Sequence, residues 1–194
     1  MTSPSPRTLP HPGWLAFAAL LLALPAGALL LQKRAPDFPV YGTLPAFSLL
    51  DQQGRPFARS DLEGRPAVVN FVFTRCAAIC PALTRKMRSL QQQLAEAGRG
   101  AEVRLVSITA DPENDTPEAL ADYAARYGAD TRSWSFVTGA LDDVQRTIVD
   151  GFKISVAKVP RPAGAEEPTD FEIVHGQKFV LLDAAGQIRG YYDV

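Results

Sequence analysis

Two cysteines and two histidines are all that 194 residues provide. Two cysteines cannot build a disulfide-rich scaffold, nor a four-cysteine zinc or iron–sulfur site within one chain. Two histidines cannot build a three-histidine metal site. An excess of one charge is missing too. The 20 Lys and Arg stand against 21 Asp and Glu, which excludes a strongly basic nucleic-acid binder. No internal repeat is visible. At 46% hydrophobic and 21% charged, the chain is not disordered throughout. Its length suits one domain with extras, large enough to bury a core without staples.

A further absence divides the chain. Residues 1–34 hold Arg7, Lys33 and Arg34 and no acid, leaving 17 basic against 21 acidic residues in the remainder, a net of −4. Residues 1–13 are rich in Pro and Ser and are expected to be disordered. Residues 14–31 carry no charge and show no amphipathic period. As a helix they span roughly 27 Å, close to the thickness of a bilayer core. Pro25 is tolerable in such a helix. This predicts a single transmembrane signal-anchor over 14–31. The competing reading is a cleaved signal peptide, with Ala26-Gly27-Ala28 as the cleavage site. The apolar run continues through Leu29–Leu31, which favours the anchor. No cysteine lies near the segment, which excludes a lipid-modified cysteine. The flanking charges do not set the orientation cleanly; a cytoplasmic N-terminus follows from the exported character of the rest.

Residues 32–44 read as a Pro-punctuated linker, and 45–194 as the globular domain. Phe47–Leu50 reads as a short strand running into a turn at Asp51–Gly54. Ala67–Thr74 is a continuous β-branched and aromatic run, the pattern of a central strand covered on both faces. A helix is predicted from Pro81 to about Ala97, with Leu83, Met87, Leu90 and Leu94 on its period and Gly98 as the stop. Val103–Thr109 is a second strand. Thr116-Pro117-Glu118 opens another helix, to Tyr127. Ser135–Val137 is a short strand and Leu141–Gly151 a helix. Residues 160–169 read as a surface loop. Lys178–Asp183 and Gln187–Tyr192 form a hairpin. Strands alternating with helices and then a closing hairpin predict an α/β sandwich of the thioredoxin type. That fold usually ends in a helix over the sheet. Here Val194 comes two residues after the last strand, so the sequence predicts the fold with its C-terminal helix missing.

Cys76 and Cys80 fall between the central strand and a helix N-terminus, the end of an open α/β sheet where ligands bind. A helix N-terminus favours thiolate over thiol. Three residues separate the cysteines, and i and i+4 positions share one helix face about 6 Å apart at Cβ. That spacing admits a metal between two thiolates and also a disulfide. Two buried structural cysteines, or a structural disulfide in an exported protein, are the bland alternatives. His11 lies in the N-terminal segment, so His175 is the one histidine of the exported part. Two thiolates and an imidazole suit copper, the thiolates holding Cu(I) and the imidazole helping to hold Cu(II). Zinc would want a fourth ligand. Met87 is also a soft donor, but its helical spacing makes it core.

Three segments together resemble the Sco/SenC family of copper-binding, thioredoxin-like assembly factors for cytochrome c oxidase. They are Thr74-Arg75-Cys76-Ala77-Ala78-Ile79-Cys80-Pro81, then Ser107 through Pro117 (SITADPENDTP), then Asp170…His175 ahead of Phe179–Asp183. The resemblance spans about residues 44–192. It implies one copper per chain, Cu(I) or Cu(II), held by Cys76, Cys80 and His175, with Asp111 as an acidic neighbour of the site. A turn or capping role before Pro112 is the plain alternative for Asp111. The resemblance further implies delivery of copper to the binuclear centre in oxidase subunit II, reduction of that centre's cysteines, or both. Other copper chaperones or thioredoxin-like reductants would be further partners. For a bacterial chain the expected place is the inner membrane, single-pass, with the domain in the periplasm. Ala77 and Ala78 stand where many relatives have Pro and an acid. The functional alternative is a thiol–disulfide oxidoreductase or peroxidase-like enzyme using the same dithiol, with Cys76 attacking and Cys80 resolving.

Overall fold

The computed structural model describes residues 38–193 except 78, 161–170 and 176–177, and gives backbone alone for 156–160 and 171–175. The expected disordered N-terminus and transmembrane segment fall outside the described residues. Among those described, no helix is long and apolar enough to cross a membrane.

An eight-stranded mixed sheet organises the chain. At its centre lie β4 (Ala67–Val72), β5 (Arg104–Thr109) and β6 (Trp134–Thr138), mutually parallel. All six side chains of the AVVNFV run of β4 are covered or nearly so, which is why the run carries no alternation. Antiparallel neighbours close both sides. On one side β9 (Lys178–Leu182) pairs with β4, then β10 (Gln187–Asp193), then the two-residue β1 (Gly42–Thr43). On the other, β2 (Ser48–Asp51) pairs with β6, and β3 (Pro56–Ala58) is the outermost strand.

The crossovers are α1 (Cys80–Glu96) between β4 and β5, and α2 (Pro117–Arg126) between β5 and β6. Two right-handed crossovers stepping the same way along a sheet put both helices on one face. Thr116 caps α2 by accepting from the Ala119 amide at 3.2 Å. Gly98, at φ +70°, ends α1 in the left-handed conformation that glycine adopts freely. α3 (Leu141–Arg146) lies against the opposite face, where Val144 joins the core.

Several expectations need correction. The linker contains a strand, because Gly42 and Thr43 pair with Ile188 and Gln187. The helix foreseen over Leu141–Gly151 changes to π geometry at Thr147–Gly151. Thr147 donates its hydroxyl to the Asp143 carbonyl at 2.7 Å, and the Phe152 amide reaches back five residues to the Thr147 carbonyl. Either side of the expected loop are two unforeseen strands, β7 (Val156–Pro160) and β8 (Phe171–His175), which form a separate two-stranded sheet. Pro160, expected to open the loop, ends β7 instead, and the rest of the expected loop, 161–169, falls outside the described residues. β3 was not foreseen either; three residues beginning with Pro56 give no periodicity to read.

Candidate metal centre

β4 stops at Val72, and the chain turns before α1 begins at Cys80. The Cys76 amide donates to the Phe73 carbonyl at 3.2 Å, which folds the turn back on itself. The Cys80 amide donates to Cys76 Sγ at 3.4 Å. One of the helix's first amides, which no helical carbonyl can satisfy, is thus aimed at the sulfur of the other cysteine. The two cysteines form no disulfide; Cys80 is fully buried and Cys76 is partly exposed. The side-chain hydrogen bond to Cys76 and then burial push the Cys80 thiol far above its ordinary value, with the charge of Asp115 adding and a Phe73 backbone donor opposing. The dithiol therefore keeps a proton on its inner sulfur while its outer sulfur meets solvent.

Two carboxylates from the segment after β5 grip the turn. Asp111, 1% exposed, takes Arg75 Nη2 at 2.6 Å, and Asn114 Nδ2 reaches the same carboxylate at 3.0 and 3.1 Å. Its carbonyl also accepts from the Asn114 and Asp115 amides. Asp111 thus closes the turn before Asp115 and also pairs with Arg75 of the cysteine turn. Asp115, also buried, accepts from the Thr74 amide at 3.1 Å, the Thr74 hydroxyl at 2.6 Å and the Thr109 hydroxyl at 2.5 Å. Burial, and then the charge of Asp111, raise the Asp115 carboxyl above its ordinary value against these donors.

Of the residues expected from sequence, the structure brings Cys76 and Cys80 together and links Asp111 to them through Arg75. His175 is the last residue of β8, opposite Val156 of β7. Its side chain falls outside the described residues. Among the described residues no three His, Cys, Asp or Glu cluster as a metal site. Asp115, Thr84 and Tyr123 carry no site signal of their own in the sequence. Asp115 and Thr74 both sit in recognisable motifs, but 41 positions separate them, and only β4–β5 pairing joins them.

The donor chemistry suits a soft cation. Two sulfurs converge with one open to solvent, and thiolates favour soft or borderline cations, Cu(I) among them. Fold and site together define a thioredoxin-like α/β protein with a pair of cysteines at the sheet's ligand-binding end. Residues 40–194 match the SCO1/SenC family, and the chain belongs to that family. It is 33% identical over 179 residues to a Stutzerimonas stutzeri protein named "Putative copper-binding protein", covering 91% of this chain and 83% of the relative. A SCO1/SenC family lipoprotein from Bacillus anthracis superposes with a TM-score of 0.71 at 32% identity, covering 82% and 89% of the two chains. BsSco, a Sco-family cytochrome c oxidase assembly protein for which a disulfide switch is described, superposes at 0.66 with 29% identity, covering 82% and 87%.

Proposed function

We propose that this chain is a membrane-anchored copper metallochaperone that helps assemble the binuclear copper centre of cytochrome c oxidase. Copper is its cargo, one ion per chain, with Cys76, Cys80 and His175 as the ligands. The observation that carries the reading is the pair of cysteines at the junction of β4 and α1, with the Cys80 amide donating to the Cys76 sulfur and no disulfide between them. The family's copper binding and oxidase-assembly role support it. The partly exposed Cys76 meets the acceptor first. A target with similar soft ligands, such as the cysteines of oxidase subunit II, then takes the ion by stepwise ligand exchange. Cys80, deeper and slower to lose its proton, retains the ion until the new bonds form. Residues 14–31 hold the domain at the bacterial inner membrane, facing the periplasm.

The test is to reduce the purified full-length chain in detergent and titrate it with Cu(I) and Cu(II). One copper per chain is expected, with a thiolate-to-Cu(II) charge-transfer band that His175→Ala weakens and Cys76→Ser removes. Absence of binding after full reduction overturns the reading. Membrane fractionation with and without residues 1–34 tests the anchor; a soluble full-length product would disprove it.

The contrast between an accessible and a buried sulfur also favours a second reading, dithiol reduction of a partner. The Cys76 thiolate attacks one sulfur of the partner's disulfide, that bond breaks, and the departing sulfur takes a proton. Cys80 then gives up its proton, attacks Cys76 in the mixed disulfide and releases the second partner thiol. Two electrons pass to the partner and a Cys76–Cys80 disulfide remains. Fast turnover of a disulfide substrate by a chain that binds no copper would make this the primary activity.

A further inference from the structure

Buried side chains fasten the cysteine turn at both ends. At the Cys80 end, the Thr84 hydroxyl donates to the Cys80 carbonyl at 2.8 Å. A hydroxyl has one proton to give, so the 2.7 Å contact between Thr84 and the Tyr123 hydroxyl runs from Tyr123 to Thr84. At the other end the fastening is a carboxyl. Asp115 takes both donors of Thr74, and the Thr109 hydroxyl that also bonds it accepts the Asp111 amide at 2.9 Å. These three donors are neutral groups. Burying a carboxyl on neutral donors is expensive compared with leaving Thr74 to water. Such a cost recurs where geometry must be fixed for function.

We infer that Asp115 is the positioning residue for Cys76: it locks Thr74, two residues upstream, to the end of β5, so the outer sulfur is presented at a set place beside Cys80. Asp111 assists by holding Arg75, the residue between them. Thr84 and Tyr123 hold the inner cysteine independently. Changes of shape on metal capture or disulfide formation are thereby confined to the short stretch between the two fastenings. The inference deepens the copper reading and rests on it, but the clamp itself can be measured without metal.

The test uses the full-length chain in detergent with Asp115→Ala, Asp115→Asn and Thr74→Val. In the metal-free protein, hydrogen exchange at the Thr74 amide should accelerate about tenfold or more in Asp115→Ala, while amides of the Cys80–Glu96 helix stay protected. Cu(I) affinity should fall about 10- to 100-fold, the usual effect of losing a group that orients a ligand. Thr74→Val, which removes one bond from the turn side, should lower copper affinity in the same direction and less. Asp115→Asn keeps an acceptor for the Thr74 amide and should recover most of both losses. If Asp115→Ala does not fold, Thr74→Val and Asp115→Asn carry the test. Unchanged Thr74 exchange and unchanged copper affinity in the folded variants overturn the clamp. Normal exchange effects in a wild-type chain that binds no copper overturn the copper reading and leave the clamp standing.

Discussion

The two faces of the sheet are built differently. One is an apolar mass: Phe71, Val69, Val106, Ile108, Val137 and Phe152, among others. Phe71 and Phe152 meet edge to face at 5.4 Å. The other face carries α1 and α2 and mixes aromatics with buried hydrogen bonds. Trp134 stacks on Phe136 at 4.8 Å, donates its indole N–H to the Ser107 hydroxyl at 3.0 Å, and Ser107 donates to Asn70 at 2.6 Å. Gln91 of α1 bonds both the amide and the carbonyl of Asp130, and Tyr123 and Thr84 reach Cys80. Apolar contact is non-directional and tolerates small shifts, whereas a hydrogen-bonded network has one geometry. The first face supplies stability. The second fixes where α1 begins, and so where the inner cysteine sits.

The largest effect should come from breaking the apolar face. Phe71→Ala removes a fully buried ring and is expected to cost about 3–5 kcal/mol in urea unfolding. It should leave copper stoichiometry at one per chain wherever the variant is folded. A changed stoichiometry would show that the faces are not separable.

A smaller stability loss with a larger functional one should follow on the other face. Tyr123→Phe deletes the donor to Thr84 and is expected to cost about 0.5–1.5 kcal/mol. Burial raises the Tyr123 hydroxyl above its ordinary value, so it stays a donor at every working pH. Because Thr84 then loses the partner that fixes its rotamer, the rate at which iodoacetamide blocks Cys80 in the reduced chain should rise. An unaltered rate would mean that Thr84 alone holds this end.

The smallest effect is a pH dependence. Burial raises the Asp115 carboxyl, so between its unfolded and its folded value the folded chain holds a proton there that the unfolded chain has released. Stability should accordingly fall as pH rises from about 4 through the raised value. Asp51 works in the opposite sense. Its bonds to Arg55 and Gln53 outweigh burial and lower it, so its contribution is present above about 4 and fades in acid. Asp115→Asn should flatten the first slope and leave the second. Identical pH–stability curves for the two proteins would remove Asp115 as the source.

Much of this fold was legible in the sequence. The AVVNFV run announced a doubly covered strand, Thr116-Pro117 a capped helix, and Gly98 a stop, because each depends on residues close along the chain. The cysteine spacing and the junction that holds it were legible for the same reason. The β7–β8 pairing was not, since two five-residue strands separated by a proline-bearing stretch give too little period to read. Nor was the split in the last helix, which turns on one hydroxyl reaching its own backbone.

By itself, then, the sequence determined the central alternation of strands and helices with the closing hairpin, the dithiol with its three-residue spacing, and the family pattern. Only the tertiary structure decided that Cys80 is sealed while Cys76 meets solvent, that Arg75 belongs to Asp111, and that Thr74 belongs to Asp115. Local signals come from neighbours in the chain. Burial and partner choice come from segments that the parallel pairing of β4 and β5 brings side by side.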